Sequence, residues 1–98
     1  MRLTAEERRA IVQEIRKVAS DAVIYLYGSR VDDRLKGGDI DLLVMTSGAD
    51  WSAKIDMLLA IKQRIGDQRI DLKLLTPAEA EKDVFVQAVL PGAVALES

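Results

Sequence analysis

The chain has 98 residues, 49% of them hydrophobic and 31% charged, with a formal charge of -2. That suits one compact core and offers no broad basic surface to track a nucleic-acid backbone. It holds neither cysteine nor histidine, which excludes disulfides, thiolate nucleophiles, imidazole bases and the usual zinc ligands. Any catalysis must run on carboxylates, hydroxyls, lysine and arginine.

No repeat, low-complexity tract or linker interrupts the sequence, so a single domain over 1–98 is expected. The N-terminal stretch lacks an apolar signal core, and no apolar run approaches the ~20 residues that span a bilayer. A cytoplasmic protein without a membrane partner and without strong nucleic-acid binding is expected.

Thr4-Ala5-Glu6-Glu7 is a capping box opening a first helix, whose apolar stripe is Ile11, Val12, Ile15 and Val18. The charges around it read as a solvated face. Asp21 to Tyr27 is rich in β-branched and aromatic residues and stops at Gly28, which predicts a central strand. Asp39 to Met45 predicts a second. From Ser47 or Asp50 to Ile65 the period is helical, with Ile55, Leu58, Leu59, Lys62 and Ile65 near one face and Gly66 as the C-terminal cap. Trp51, at the start of that helix, is expected to be a packing anchor. Arg69 to Leu75 alternates and predicts a third strand. Thr76-Pro77-Ala78-Glu79 then starts a helix running to about Leu90, and Pro91-Gly92 turns the chain into a short edge strand. The expected class is α/β (α+β): a small mixed sheet of about four strands flanked by helices.

The chemistry lies between the first strand and the third. Strand side chains alternate faces, so Asp39 and Asp41 share a face with Leu43 and Met45. Two adjacent carboxylates repel, raise one pKa or demand a counter-charge, and a divalent cation answers that demand. Oxygen-only ligands suit Mg²⁺ or Mn²⁺. Asp71, about thirty residues after Asp41, sits near the start of the third strand. Side-by-side pairing could bring it to the first two acids in a two-metal arrangement; alternatively it joins a surface ladder with Arg69 and Lys73. Gly28-Ser29 closes the first strand and opens a short helix across Arg30 to Asp33. Such a junction offers backbone N–H groups, a dipole, a hydroxyl and the Arg30 fork to phosphate oxygens. Lys36-Gly37-Gly38 gives a flexible approach to Asp39.

The run from Gly28 to Val44, followed by Arg69 to Leu75, resembles the minimal nucleotidyltransferases of the DNA polymerase beta superfamily: Gly-Ser, a spacer, Asp-x-Asp and a later strand acid. Nine residues separate Ser29 from Asp39, one shorter than the family's usual spacing, and the shortening falls in the Lys-Gly-Gly loop. The resemblance implies a nucleotidyltransferase fold. It implies that Gly28 and Ser29 hold the phosphates of ATP or another nucleoside triphosphate, beside which the Arg30 fork is a further nucleotide-binding candidate by its own chemistry. It further implies that Asp39, Asp41 and Asp71 bind two Mg²⁺ ions, with Asp71 orienting or deprotonating the attacking hydroxyl. Small members of this kind are similar to antitoxins that adenylylate a HEPN-type toxin from a neighbouring gene, so a hetero-oligomer is an expected partner state. At this length the chain is expected to take its acceptor from another protein. The apolar segment around Val84, Phe85, Val86, Val89 and Leu90 either packs under the sheet or meets that partner. The alternatives are a binding module that neutralises its partner without catalysis, and a nucleotidyltransferase acting on a small molecule or RNA.

Overall fold

In chain order the protein runs α1 (Ala5–Val18), β1 (Val23–Tyr27), a 3₁₀ turn (Gly28–Val31), β2 (Ile40–Met45), α2 (Trp51–Ile65) and β3 (Ile70–Leu75). It continues through α3 (Pro77–Lys82), α4 (Val84–Val89), a second 3₁₀ turn (Leu90–Gly92) and β4 (Val94–Ala95). The structure is a computed structural model describing residues 3–32 and 38–97. The expectations placed on Asp33, Lys36 and Gly37 lie outside the described residues.

Both capping boxes form. The Thr4 hydroxyl accepts the Glu7 N–H while the Thr4 N–H donates to Glu7 Oε1, and Thr76 with Glu79 repeats the exchange. Each box satisfies two helix-start donors that would otherwise lack partners. Asp50 caps α2 by accepting the Ala53 N–H at 2.7 Å, and Gly66, at φ +90°, ends it. The positive φ is open to glycine without a Cβ clash.

The strands form one mixed sheet in the order β3-β2-β1-β4. β1 runs antiparallel to β2 and β4, while β2 and β3, joined through α2, are parallel. On one face Ile24, Leu26, Ile40, Leu42, Val44 and Leu72 pack against α1 and α2. On the other, Tyr27 and Leu43 pack against Ala80 and Val86 of the small helices. Two apolar layers therefore grip β2 while its first acid stays at the margin. No helix among the described residues is long and apolar enough to cross a membrane.

Four local expectations change. β1 begins at Val23 because Asp21 is used elsewhere: its carboxylate accepts the hydroxyls of Thr46 and Ser47 and the Ser47 N–H. That ties the start of β1 to the end of β2. The Thr46 hydroxyl, then Ser47, hold the Asp21 pKa down at about 2. The buried ridge of α2 is Met57 and Ile61, continued by the partly buried Ala53 and Ile65 at four-residue spacing. Ile55 and Leu59 face out. Trp51 is 72% exposed and anchors nothing. The helix expected from Pro77 to Leu90 is broken at Asp83, whose backbone is extended (φ -87°, ψ 118°). Its side chain caps the Val86 N–H at 3.1 Å, because a short acidic side chain competes for backbone donors better than it continues a helix.

Candidate active site

Parallel pairing of β2 and β3 places Asp41 directly opposite Asp71, and antiparallel pairing of β1 and β2 places Tyr27 opposite Asp41. All three side chains share the sheet face of Leu43. Asp39 immediately precedes β2, where the Ile40 N–H donates to the Arg69 carbonyl at 2.9 Å and extends the ladder by one rung. The sequence left open whether Asp71 joins the acids or a ladder of bases. The bases are engaged elsewhere: Arg69 Nε stands 3.6 Å from Asp39 Oδ1, and Lys73 Nζ 3.4 Å from Asp83 Oδ2. Asp71 meets Asp41 instead.

Electrostatics agree with that geometry. Burial, then the charge of Asp71, then that of Asp39, push the Asp41 carboxyl above its ordinary pKa. Tyr27 is raised as well, by burial first and then by Asp71 and Asp41. Asp41 is thus a half-buried carboxylate with like charges on both sides and an unmet need for positive charge.

The glycines at this end are fixed by contacts. At Gly28, φ is +77°, and a Cβ there would overlap Asp41 Oδ2 and lie 3.3 Å from its Cγ. The space beside the Gly28 α-carbon is filled by the Asp41 carboxylate. At Gly38, φ is +88°, and a Cβ would overlap Ser29 Oγ. The Gly38 carbonyl accepts from Arg30 Nε at 3.4 Å. From sequence Gly38 is only part of a flexible approach to Asp39, and the Gly-Gly pair is its only signal. Ser29 and Arg30 lie in a single 3₁₀ turn closed by the Asp32 N–H donating to the Ser29 carbonyl at 3.3 Å. The short helix expected across Arg30 to Asp33 is present as this 3₁₀ turn, two residues earlier, at Gly28–Val31. Burial raises the Glu7 pKa, but the Thr4 N–H, Gln68 and the charge of Arg30 together bring it below its ordinary value.

The donor set is hard oxygen throughout, and the raised Asp41 pKa marks the position where a cation would relieve repulsion, so the residues fit Mg²⁺ in chemistry. Among the described residues, no three acidic side chains stand close enough together to hold a metal ion as they are. The Asp39 carboxylate stands 3.6 Å from Arg69 Nε. Beside Asp71 a cavity of about 280 Å³ opens between Tyr27, Phe85, Lys54 and Lys73. The Tyr27 and Phe85 rings meet edge to face with centroids 5.6 Å apart. None of these four was singled out from sequence as a site residue.

Residues 9–97 match the family model described as polymerase beta, nucleotidyltransferase. The chain belongs to this nucleotidyltransferase family. The mixed four-stranded sheet and four helices among the described residues are consistent with the nucleotidyltransferase fold. Among solved structures, it is similar to the crystal structure of a candidate nucleotidyltransferase from Sulfolobus solfataricus. The identity is 20% and the TM-score 0.44, over 97% of this chain and 89% of that one. No curated protein matches it.

Proposed function

We propose that this nucleotidyltransferase transfers a nucleoside monophosphate, AMP in the leading case, from a nucleoside triphosphate to a hydroxyl on a partner protein, and that it serves as the antitoxin of a HEPN-type toxin encoded beside it. The observation that carries the catalytic part is the register of Asp41 against Asp71, with Asp39 charge-coupled to Asp41. Asp39, Asp41 and Asp71 would hold divalent cations, which supply charge neutralisation at the phosphates when bound. Ser29, Arg30 and the backbone of the Gly28 turn hold the triphosphate. Asp71, the most exposed of the strand acids, accepts the proton of the acceptor hydroxyl or fixes its lone pair toward phosphorus. The hydroxyl oxygen bonds to the α-phosphorus while the bond from that phosphorus to the β-bridging oxygen breaks, and pyrophosphate leaves.

The test is transfer of label from α-labelled ATP with Mg²⁺ to the neighbouring HEPN-type protein. Label is expected with the native chain and absent with Asp39→Asn or Asp41→Asn. An intact neighbour that takes no label overturns the protein-modifying reading. One observation favours the second reading, neutralisation by occlusion: Val84 is 83% and Phe85 43% exposed on α4, an apolar surface suited to a partner. That reading expects Asp41→Asn to protect cells still and Val84→Glu to fail.

A further inference from the structure

The cavity of about 280 Å³ beside Asp71 has in its wall a polar group whose need is unmet. Tyr27 lines it from β1 and is nine-tenths buried, with 9% of its surface exposed. Among the described residues its hydroxyl makes no hydrogen bond. Burial, then the charges of Asp71 and Asp41, push the phenol further above its ordinary pKa, so the hydroxyl lies in the field of the acids and keeps its proton to donate. Buried hydroxyls are almost always paired. One left unpaired at a cavity wall points to a group that enters the cavity.

The rest of the lining defines what that group is like. Phe85 meets the Tyr27 ring edge to face and is 43% exposed, so the wall is aromatic and partly open. The charges around it cancel. Asp71 stands against Lys54 and Lys73 in the lining, and Asp83, 3.4 Å from the Lys73 ammonium, offsets the second lysine. Balanced charge and an aromatic wall suit a flat, neutral, polar guest. The volume equals roughly nine water molecules at ~30 Å³ each, which is room for a two-ring heterocycle.

Position ties the cavity to the triphosphate. The Gly28 turn follows β1, Asp41 lies on β2 and Asp71 on β3. Neighbouring strands are ~5 Å apart, so turn, acids and cavity follow one another across the sheet. A nucleotide with its β- and γ-phosphates at the turn and its α-phosphate at the acids carries its nucleoside past Asp71. We propose that this cavity is the base subsite of the nucleotidyltransferase and selects a purine, with Phe85 packed on the ring system and the Tyr27 hydroxyl donating to a ring nitrogen. The inference rests on the nucleotidyl-transfer reading above and adds the base, which the acids and the Gly28 turn leave open because they meet phosphates alone. Stacking by itself accepts every base, since every base has a π-face. Selection comes from the size of the cavity and the unpaired donor. A pyrimidine, one ring smaller, leaves the hydroxyl unpaired, and a site built around a hydrogen bond discriminates against a ligand that does not make it. Lys54 lines the same space and offers a second donor.

Binding without an acceptor separates the base from the rest of the reaction. The native chain is titrated in a calorimeter with ATP, GTP, CTP, UTP and inorganic tripolyphosphate, each with Mg²⁺. At least one purine triphosphate is expected to bind about ten-fold or more tightly than the pyrimidine pair and tripolyphosphate. Tyr27→Phe keeps the ring against Phe85 and removes only the hydroxyl; it should cut that advantage several-fold, to a limit of about ten-fold. Phe85→Ala, at a half-exposed position, should cut it by about ten-fold or more, and neither variant should weaken tripolyphosphate. Four triphosphates bound alike by the native chain overturn the proposal. So does a purine preference that survives both substitutions. A raised acceptor KM in the variants with nucleotide binding unchanged assigns the cavity to the acceptor and overturns it as well. A native chain that binds no triphosphate overturns the nucleotidyl-transfer reading itself, whereas one that selects purines through Tyr27 and Phe85 but labels no partner upholds the subsite and overturns only the choice of acceptor.

Discussion

Gly28→Ala probes the contact between the turn and the acids. The methyl has two consequences that differ in kind. A non-glycine residue in the left-handed region costs about 1–2 kcal/mol, and φ at this position is +77°. The added Cβ also overlaps Asp41 Oδ2, so that oxygen has to retreat by roughly 1 Å to reach ordinary contact. Backbone strain alone predicts a fall in Tm of about 4–8 °C per kcal/mol for a domain of this size. If Asp41 serves catalysis as proposed, displacing its carboxylate by 1 Å predicts a loss of about 100-fold in turnover. Thermal melting and the labelled transfer reaction measure the two separately. The decisive comparison is Gly28→Ala made alone and together with Asp41→Ala, which removes the oxygen the methyl strikes. The steric part of the stability loss should vanish in the pair, leaving only the strain. If Gly28→Ala melts no lower than strain requires and keeps its turnover, the close approach of Gly28 to Asp41 does not constrain the site.

Asp41→Asn removes a charge whose pKa is raised by burial, Asp71 and Asp39. A raised carboxylate pKa disfavours the fold above that pKa and is relieved as pH falls through it. The metal-free Asn variant should therefore melt higher than the native chain at neutral pH, and the gap should close on acidification. Added Mg²⁺ should raise the Tm of the native chain and leave the variant unmoved. Asp21, held at about 2, has the opposite sign. Its contribution is present above the ordinary value of 3.8 and is lost as pH falls through about 2. Asp21→Asn should thus be destabilised at pH 7 and converge with the native chain near pH 2, as followed by urea titration. Asp83→Ala deletes the cap of α4 and the partner of Lys73. The lost cap should cost about 1 kcal/mol, read as a lower urea midpoint with an unchanged slope.

What the sequence made legible was local chemistry. Thr4 with Glu7, and Thr76 with Pro77 and Glu79, start helices by side-chain hydrogen bonds that depend on residue type alone. Asp39 and Asp41 could be placed at the head of β2 for the same reason. The misses concern choices made by distant neighbours. Ile55 and Leu59 fit a helical stripe as well as Met57 and Ile61 do, and only the packing of α1 on α2 selects the latter pair. Trp51 carries no mark of exposure in its own context. Asp21 was assigned to β1 because its partners, Thr46 and Ser47, lie more than twenty residues away. Gly38 is the instructive case: its φ of +88° and the Ser29 hydroxyl standing where a Cβ would lie require glycine there, and neither can be read from its neighbours in sequence.

The two halves of the site are held by contacts of different reach, and this determines how each can fail. Gly28 reaches Asp41 through the antiparallel pair β1–β2, fixed by the register of Tyr27 against Asp41. Asp71 reaches Asp41 only through the parallel pair β2–β3, across the whole length of α2. A slip of one residue in that pairing would set Ile70 or Leu72 opposite Asp41 and turn Asp71 to the face packed on α2. Leu72 opposes the slip because it is 1% exposed within the main core, and Ile40, Leu42 and Val44 hold the same face of β2. The position of the third acid is therefore set by apolar residues that touch no ligand. Core substitutions such as Leu72→Ala should weaken the site in step with the loss of stability, whereas Asp71→Asn should remove activity with the fold intact.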